Sequence, residues 1–424
     1  YPFIDRMAHI GIKPDLAHFA QLSARLGDEC GRLRIRLEQE TGISDFNANS
    51  GDQVASYLFD TLGLEGLKRT DSGERYSTND KILEALEHEN PDYPIISTIR
   101  EYREVYKLKH TFVDVIPDYV DRWPFDGRIH ATFRTTSVVT GRLACADPNL
   151  LAQPEHGKFA KDFKRGWVAE KEHVLYSADE SQVELRGLAH LSQDPVMLSI
   201  FRGELRNPDG SLIDLHATLA QRIFGGKVQE YMQKCKGRLA AKAINFGLPM
   251  GMTFKGLRLE LRKDGVLIDD DDAQRWIDET MTLYKGVLAY QDRMITEAQQ
   301  NGFVRCLSGR IRYIGGIHST NGATRAEAER FAFSTPIQES ATFIMKQAER
   351  AVYEDICVPW WQQGRWIEPI LQVHDSLKME VAEGLQDDLH ILMTEAMTQV
   401  RKGFSVPLVV EGEWGQNGAD MEKI

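Results

Sequence analysis

The segment Pro369-Ile370-Leu371-Gln372-Val373-His374-Asp375-Ser376-Leu377-Lys378-Met379-Glu380-Val381 constrains this chain more than any other. Two largely apolar runs flank a polar triplet, which reads as strand, turn, strand with the turn at Asp375-Ser376. Two strands alone are not stable in water, so partners must come from elsewhere in the sequence. The clearest is His173 to Ala178, far upstream, which ends abruptly at Asp179-Glu180-Ser181 and then turns helical. Ile129, Ala131 and Phe133 also alternate with polar neighbours, 309–317 is turn and strand, and 407–413 is a terminal β segment.

Most of the remainder reads as helix. After Pro14, placed as a first-turn residue, Leu16, Phe19, Leu22, Leu26, Cys30, Leu33 and Leu37 recur at helical spacing to about Glu40. Helical segments near 54–62, 81–87 and 93–115 follow, around a polar tip at 70–79. Residues 214–300 are mostly helix, 323–354 is a long helix interrupted at Pro336, and 385–400 is another. The class is α+β: one sheet assembled from distant segments, with a helical insertion on each side.

The totals narrow the setting. At 424 residues the chain exceeds one compact core. No 18-residue apolar run is present and the N-terminus lacks a secretory pattern, which predicts no membrane partner. The start at Tyr1 rather than Met suggests the cut end of something longer. Five scattered cysteines without a CxxC pair predict a reducing, cytoplasmic setting and no structural zinc. The net charge of -12 does not itself suggest a nucleic-acid binder. Yet Lys158, Lys161, Lys164 and Arg165 cluster, as do Lys227, Lys234, Lys236, Arg238 and Lys242. Either cluster is equally a solvated face.

Three segments carry chemistry. In Ser177-Ala178-Asp179-Glu180-Ser181-Gln182-Val183-Glu184-Leu185-Arg186, a carboxylate ends a buried strand, where desolvation is costly without a partner. It reads as a metal ligand, or as a helix cap in which Asp179 or Ser181 caps and Glu184 completes a capping box. In the hairpin, Asp375 reads as a second metal carboxylate or as an ordinary turn former. In Arg238-Leu239-Ala240-Ala241-Lys242-Ala243-Ile244-Asn245-Phe246-Gly247, two cations and a ring at four-residue spacing share one helical stripe. They suit a polyphosphate and a sugar or base, or simply a snorkelling surface.

In chain order the three segments resemble motifs A, B and C of the family A DNA polymerases, whose patterns run approximately D-Y-S-Q-I-E-L-R, R-x-x-x-K-x-x-x-F-G and V-H-D-E. Thr140-Gly141-Arg142-Leu143, Asp147-Pro148-Asn149-Leu150, Asp214-Leu215-His216, Glu329-Arg330 and Pro336-Ile337-Gln338 agree as well, so the resemblance covers nearly the whole chain. It implies a right-hand fold with a palm sheet, helical fingers and a helical thumb. The palm would start at 1–25, the thumb span 26–115, the palm with motif A 116–195, the fingers 196–322 and the palm with motif C 323–424.

The resemblance also implies roles. Asp179 and Asp375, with the Glu180 backbone carbonyl, would hold two Mg2+ ions, for which Mn2+ can substitute. Arg238, Lys242 and His216 would meet the incoming triphosphate with positive charge, Phe246 would pack on its sugar, and Gln182 would join them in nucleotide binding. Glu184 would be the gate that disfavours a 2′-hydroxyl. Arg142, Gln338, His374, Arg330 and Met250 would face primer and template. The implied activity is DNA-directed DNA polymerisation from primed DNA and dNTPs. The chain would act as a monomer in a bacterial cell or a phage-infected host. No proofreading exonuclease is expected within it; a separate exonuclease, helicase or processivity factor would supply such functions.

Departures qualify the pattern. Glu180 stands where the family has Tyr, Ser376 where it has Glu, and Met250 where it has a fingers tyrosine. Pro249 lacks an N–H and crowds the carbonyl of Asn245, so the fingers helix should stop near Gly247–Leu248. The rivals are a single-subunit RNA polymerase, a class that shares His-Asp-Ser, and a catalytically inactive DNA-binding relative. Glu184 and Asn245-Phe246-Gly247 oppose the first, and the presence of both aspartates opposes the second.

Overall fold

The computed structural model describes all residues except 71–72, 155–156, 207–209, 211–212, 234, 264–265 and 401–402. Lys234 of the second basic cluster, and part of the polar tip at 70–79, lie outside the described residues.

The strands in chain order are β1 Thr132–Arg134, β2 Ala144–Ala146, β3 His173–Glu180, β4 Phe303–Arg305, β5 Ile311–Tyr313, β6 Ile367–Val373, β7 Ser376–Ala382, β8 Val410–Gly415 and β9 Glu422–Lys423. The main sheet is antiparallel in the order β6-β7-β3-β8-β9, so β3 sits in the centre between segments from the far end of the chain. The pairs β1-β2 and β4-β5 form separate ribbons.

Alternation along β3 and β7 sets the two faces of this sheet. Val174, Tyr176 and Ala178 with Leu377, Met379 and Val381 enter the core beneath the helices Gly322–Ala351 and Gln386–Thr398. Ser177 and Asp179 stand opposite Lys378 and Ser376 on the other face. That register corrects the expected turn. Val373 pairs with Ser376, so the two turn residues are His374, left-handed at φ 52, and Asp375. Shifting by one residue would turn Leu377, Met379 and Val381 out of the core.

Helical insertions lie on both sides. Leu16–Thr41 packs along Ile95–Lys107, and Asp80–Glu89 joins them. Its N-cap is Asp15, which accepts from the His18 N–H, so Pro14 precedes the helix and instead bridges Trp167. On the other side Leu215–Phe224, Lys236–Gly247, Phe254–Lys263 and Asp270–Leu283 share one core.

The two prolines behave differently. Lys236–Gly247 ends where Pro249 requires, passing into a tight turn over Leu248–Met250 and a left-handed Gly251 at φ 76. By contrast Gly322–Ala351 runs unbroken through Pro336, correcting the expected interruption. Residues buried along that helix hold its course, and the Tyr290 hydroxyl donates to the Phe333 carbonyl beside the gap left by the missing N–H. Among the described residues, no helix is long and apolar enough to cross a membrane.

Candidate active site

The strand end at Asp179 and the hairpin tip at Asp375 meet. Glu180 N–H donates to the Asp375 carbonyl at 2.9 Å, one step beyond the last β3–β7 pair, Asp179 with Ser376. Both aspartates line a groove of about 480 Å³ across the sheet face, with Lys164 and Lys378 further along it. Glu411, unremarked in the sequence, stands opposite Asp179 on β8 and pairs with Lys423 at 3.0 Å. Only strand register could have located it.

The helix-cap alternative for this segment fails. The helix begins at Val183, its N-cap is Gln182 in a left-handed conformation (φ 55), and no side chain caps it. Asp179 is therefore left exposed on the sheet face, whereas Glu180 points into the other face and is buried. Neither Glu180 carboxylate oxygen has a hydrogen-bond partner. Burial, with Asp375 and Asp179 adding to it, pushes its carboxyl well above the usual range.

Arg142 serves two acids. It forms an ion pair with Glu184, and its charge also opposes the burial that pushes Asp375 up. Burial likewise raises Glu184. Arg142, Gln372, His374 and Asp375 line a second cavity of about 300 Å³ with Thr342 of the long helix. One turn earlier on that helix, Gln338 donates to the Met250 thioether at 3.3 Å. Arg330 lies over Gly251, where an added Cβ would come within 2.5 Å of its side chain.

The cationic stripe forms a separate group on the helical side. Lys242 is exposed and in no ion pair among the described residues, while Arg238 pairs with Asp214. His216 is buried, its Nδ1 is 3.1 Å from the Asn245 amide, and its ring lies 5.6 Å from that of Phe246. Burial, with Arg238 and Lys242 nearby, lowers its pKa to about 4 despite Asp214. Burial therefore favours the uncharged form of His216, against the positive charge expected of it. In the sequence Asp214 stands out only as part of the Asp214-Leu215-His216 triplet; its partner Arg238 is fixed by the fold.

The first basic cluster is largely neutralised by the chain's own acids. Lys158 pairs with Glu29, Lys161 with Asp420, and Arg165 with both Asp420 and Asp162.

A metal fits part of this arrangement. Asp179, Asp375 and the Glu180 carbonyl are hard oxygen donors, the kind Mg2+ prefers, and Mg2+ is commonly held by one or two carboxylates plus substrate phosphates. Among the described residues no group of three or more His, Cys, Asp or Glu converges as a complete cage.

Comparison with known proteins agrees with this geometry. The model for DNA polymerase family A matches residues 16–420. DNA polymerase I of Pseudomonas aeruginosa is 36% identical over 421 residues, covering 98% of this chain and 43% of that protein. The thermostable DNA polymerase I of Thermus aquaticus is 33% identical, covering 97% of this chain and 46% of its own length. The chain therefore spans under half the length of these curated relatives. The POL domain of Pol1 from M. smegmatis, solved in complex with DNA primer-template and dNTP, superposes with a TM-score of 0.87 at 30% identity, covering 99% of this chain and 69% of that one. The sheet built from distant segments and flanked by helical insertions is a right-hand polymerase fold. With its aspartates joined across β3 and the β6–β7 hairpin, the chain belongs to DNA polymerase family A.

Proposed function

We propose that the chain is a DNA-directed DNA polymerase that adds deoxynucleotides to a primer 3′ end. The observation carrying this reading is the Glu180–Asp375 backbone bond, which sets two aspartates from distant segments at one groove on the sheet face. When bound there, divalent ions would activate the attacking oxygen and offset charge on the leaving one. The sheet would be the palm, the helices within 26–115 the thumb, and those within 196–322 the fingers.

The chain's own residues divide the remaining work. Asp179 and Asp375, with the Glu180 carbonyl, hold the ions. Lys242 and Arg238 take the triphosphate, and neutral His216 can donate a hydrogen bond to it rather than a charge. Gln182, whose side-chain oxygen is buried without a partner, sits beside the sugar site. Phe246 packs on the sugar and Glu184 crowds its 2′ position. Arg142 and His374 face the primer end, and Met250, Gln338 and Arg330 face the template side. Primed DNA and dNTPs are the substrates, and Mg2+ is the expected metal.

Primer extension on a DNA template tests this, run beside Asp179→Ala and Asp375→Ala. Extension with dNTPs that either substitution abolishes is the expected result. Equal or better use of rNTPs would favour an RNA polymerase, and no extension by the unaltered chain would favour a DNA-binding relative.

A further inference from the structure

Asp214 does two things at once in the fingers region. One carboxylate oxygen accepts from the Ala217 N–H at 2.6 Å, capping the helix Leu215–Phe224 that carries His216. The other pairs with Nη2 of Arg238, on the neighbouring helix Lys236–Gly247. Arg238 Nη1 meanwhile donates to the Tyr231 carbonyl at 3.1 Å. A guanidinium has five N–H donors in a rigid fork, so these contacts fix its orientation and still leave donors for a phosphate. Both partners of the pair are about a quarter exposed.

The pair also sets the charge of this bay. Arg238 pairs with the Asp214 carboxylate, Lys242 stands near enough to help lower the buried His216, and His216 itself favours its uncharged form. Together Arg238, Lys242 and Asp214 carry a single net positive charge. Attraction scales with the product of charges. A bay with one more positive charge would therefore favour a bare pyrophosphate more than a metal-chelated nucleotide.

We infer that Asp214 is a specificity-determining residue of the nucleotide bay. It positions Arg238 and restrains the bay's charge, so that metal-bound triphosphate is preferred over free polyphosphate and released pyrophosphate is not retained. This rests on the polymerase reading above.

The test uses the full chain with Asp214→Asn and Asp214→Ser. Asn and Ser are both good N-caps, so the helix start survives while the carboxylate is lost. Affinity for inorganic pyrophosphate is measured by calorimetry in chelator at low salt, beside the KM for a dNTP in primer extension with Mg2+. In both variants pyrophosphate binding should tighten about three- to tenfold, the scale of one partly screened charge. The KM should move less, and Arg238→Ala should erase the gain. A merely structural role cannot produce tighter binding. Unchanged or weaker binding in variants with wild-type thermal midpoints overturns the inference, as does a gain that persists with Arg238→Ala. A chain that extends no primer yet shows the gain supports Asp214's role and sinks the polymerase reading instead.

Discussion

Glu180 donates its backbone N–H to the Asp375 carbonyl at 2.9 Å, while its own carboxylate lies buried with no hydrogen-bond partner. The same residue thus fastens the two aspartate-bearing segments and places an uncompensated acid behind them. Leaving a buried polar group unpaired costs roughly 1–3 kcal/mol, and more if charged. Glu180→Leu should keep the backbone bond and stabilise the metal-free protein by about that amount. Denaturant unfolding in EDTA at neutral pH measures it. A lower midpoint in the variant would show that the carboxylate has a partner.

Arg142 and Glu184 form an ion pair at the proposed primer and sugar sites. Glu184→Ala should relax sugar choice, raising the rNTP-to-dNTP ratio of kcat/KM about 10- to 100-fold, the range a crowded pocket can supply. Since the two residues touch, Arg142→Ala and Glu184→Gln should not be additive in extension kinetics, with coupling of about 0.5–3 kcal/mol. Additive losses would mean that the pair does not persist in the working complex.

Lys242 is exposed and in no ion pair among the described residues, unlike Arg238. Lys242→Ala should raise the KM for dNTP about tenfold, the loss of one charge-assisted contact. Primer–template affinity and its salt dependence should stay as they were. A shallower salt slope would reassign Lys242 to the DNA backbone.

Glu349, buried on the long helix, has its pKa raised by burial to about 8, with Lys346 pulling the other way. The folded chain therefore favours its protonated form, and the unfolded chain releases that proton near the ordinary carboxyl value. The stability this contributes is fully present below about pH 4.5 and is lost as pH rises through 8. Denaturant midpoints should fall between pH 6 and 9, and Glu349→Gln should flatten that fall. An unchanged slope in the variant would show that another group sets the dependence.

The sequence by itself determined the strand-ending carboxylates, the order of the three chemical segments, and the stop of the helix Lys236–Gly247 before Pro249. These follow from local rules, since a missing N–H and a ring clash act within one turn. Pro336 shows where local rules end, because burial along Gly322–Ala351 keeps that helix continuous across an equally unfavourable residue. Which face of the sheet Asp179 meets, the placement of Glu411 opposite it, the orphaned Glu180 carboxylate, the neutrality of His216 and the grip of Asp214 on Arg238 were decided only by tertiary structure. Each depends on the distance and dielectric between groups far apart in the chain, quantities that residue spacing does not contain.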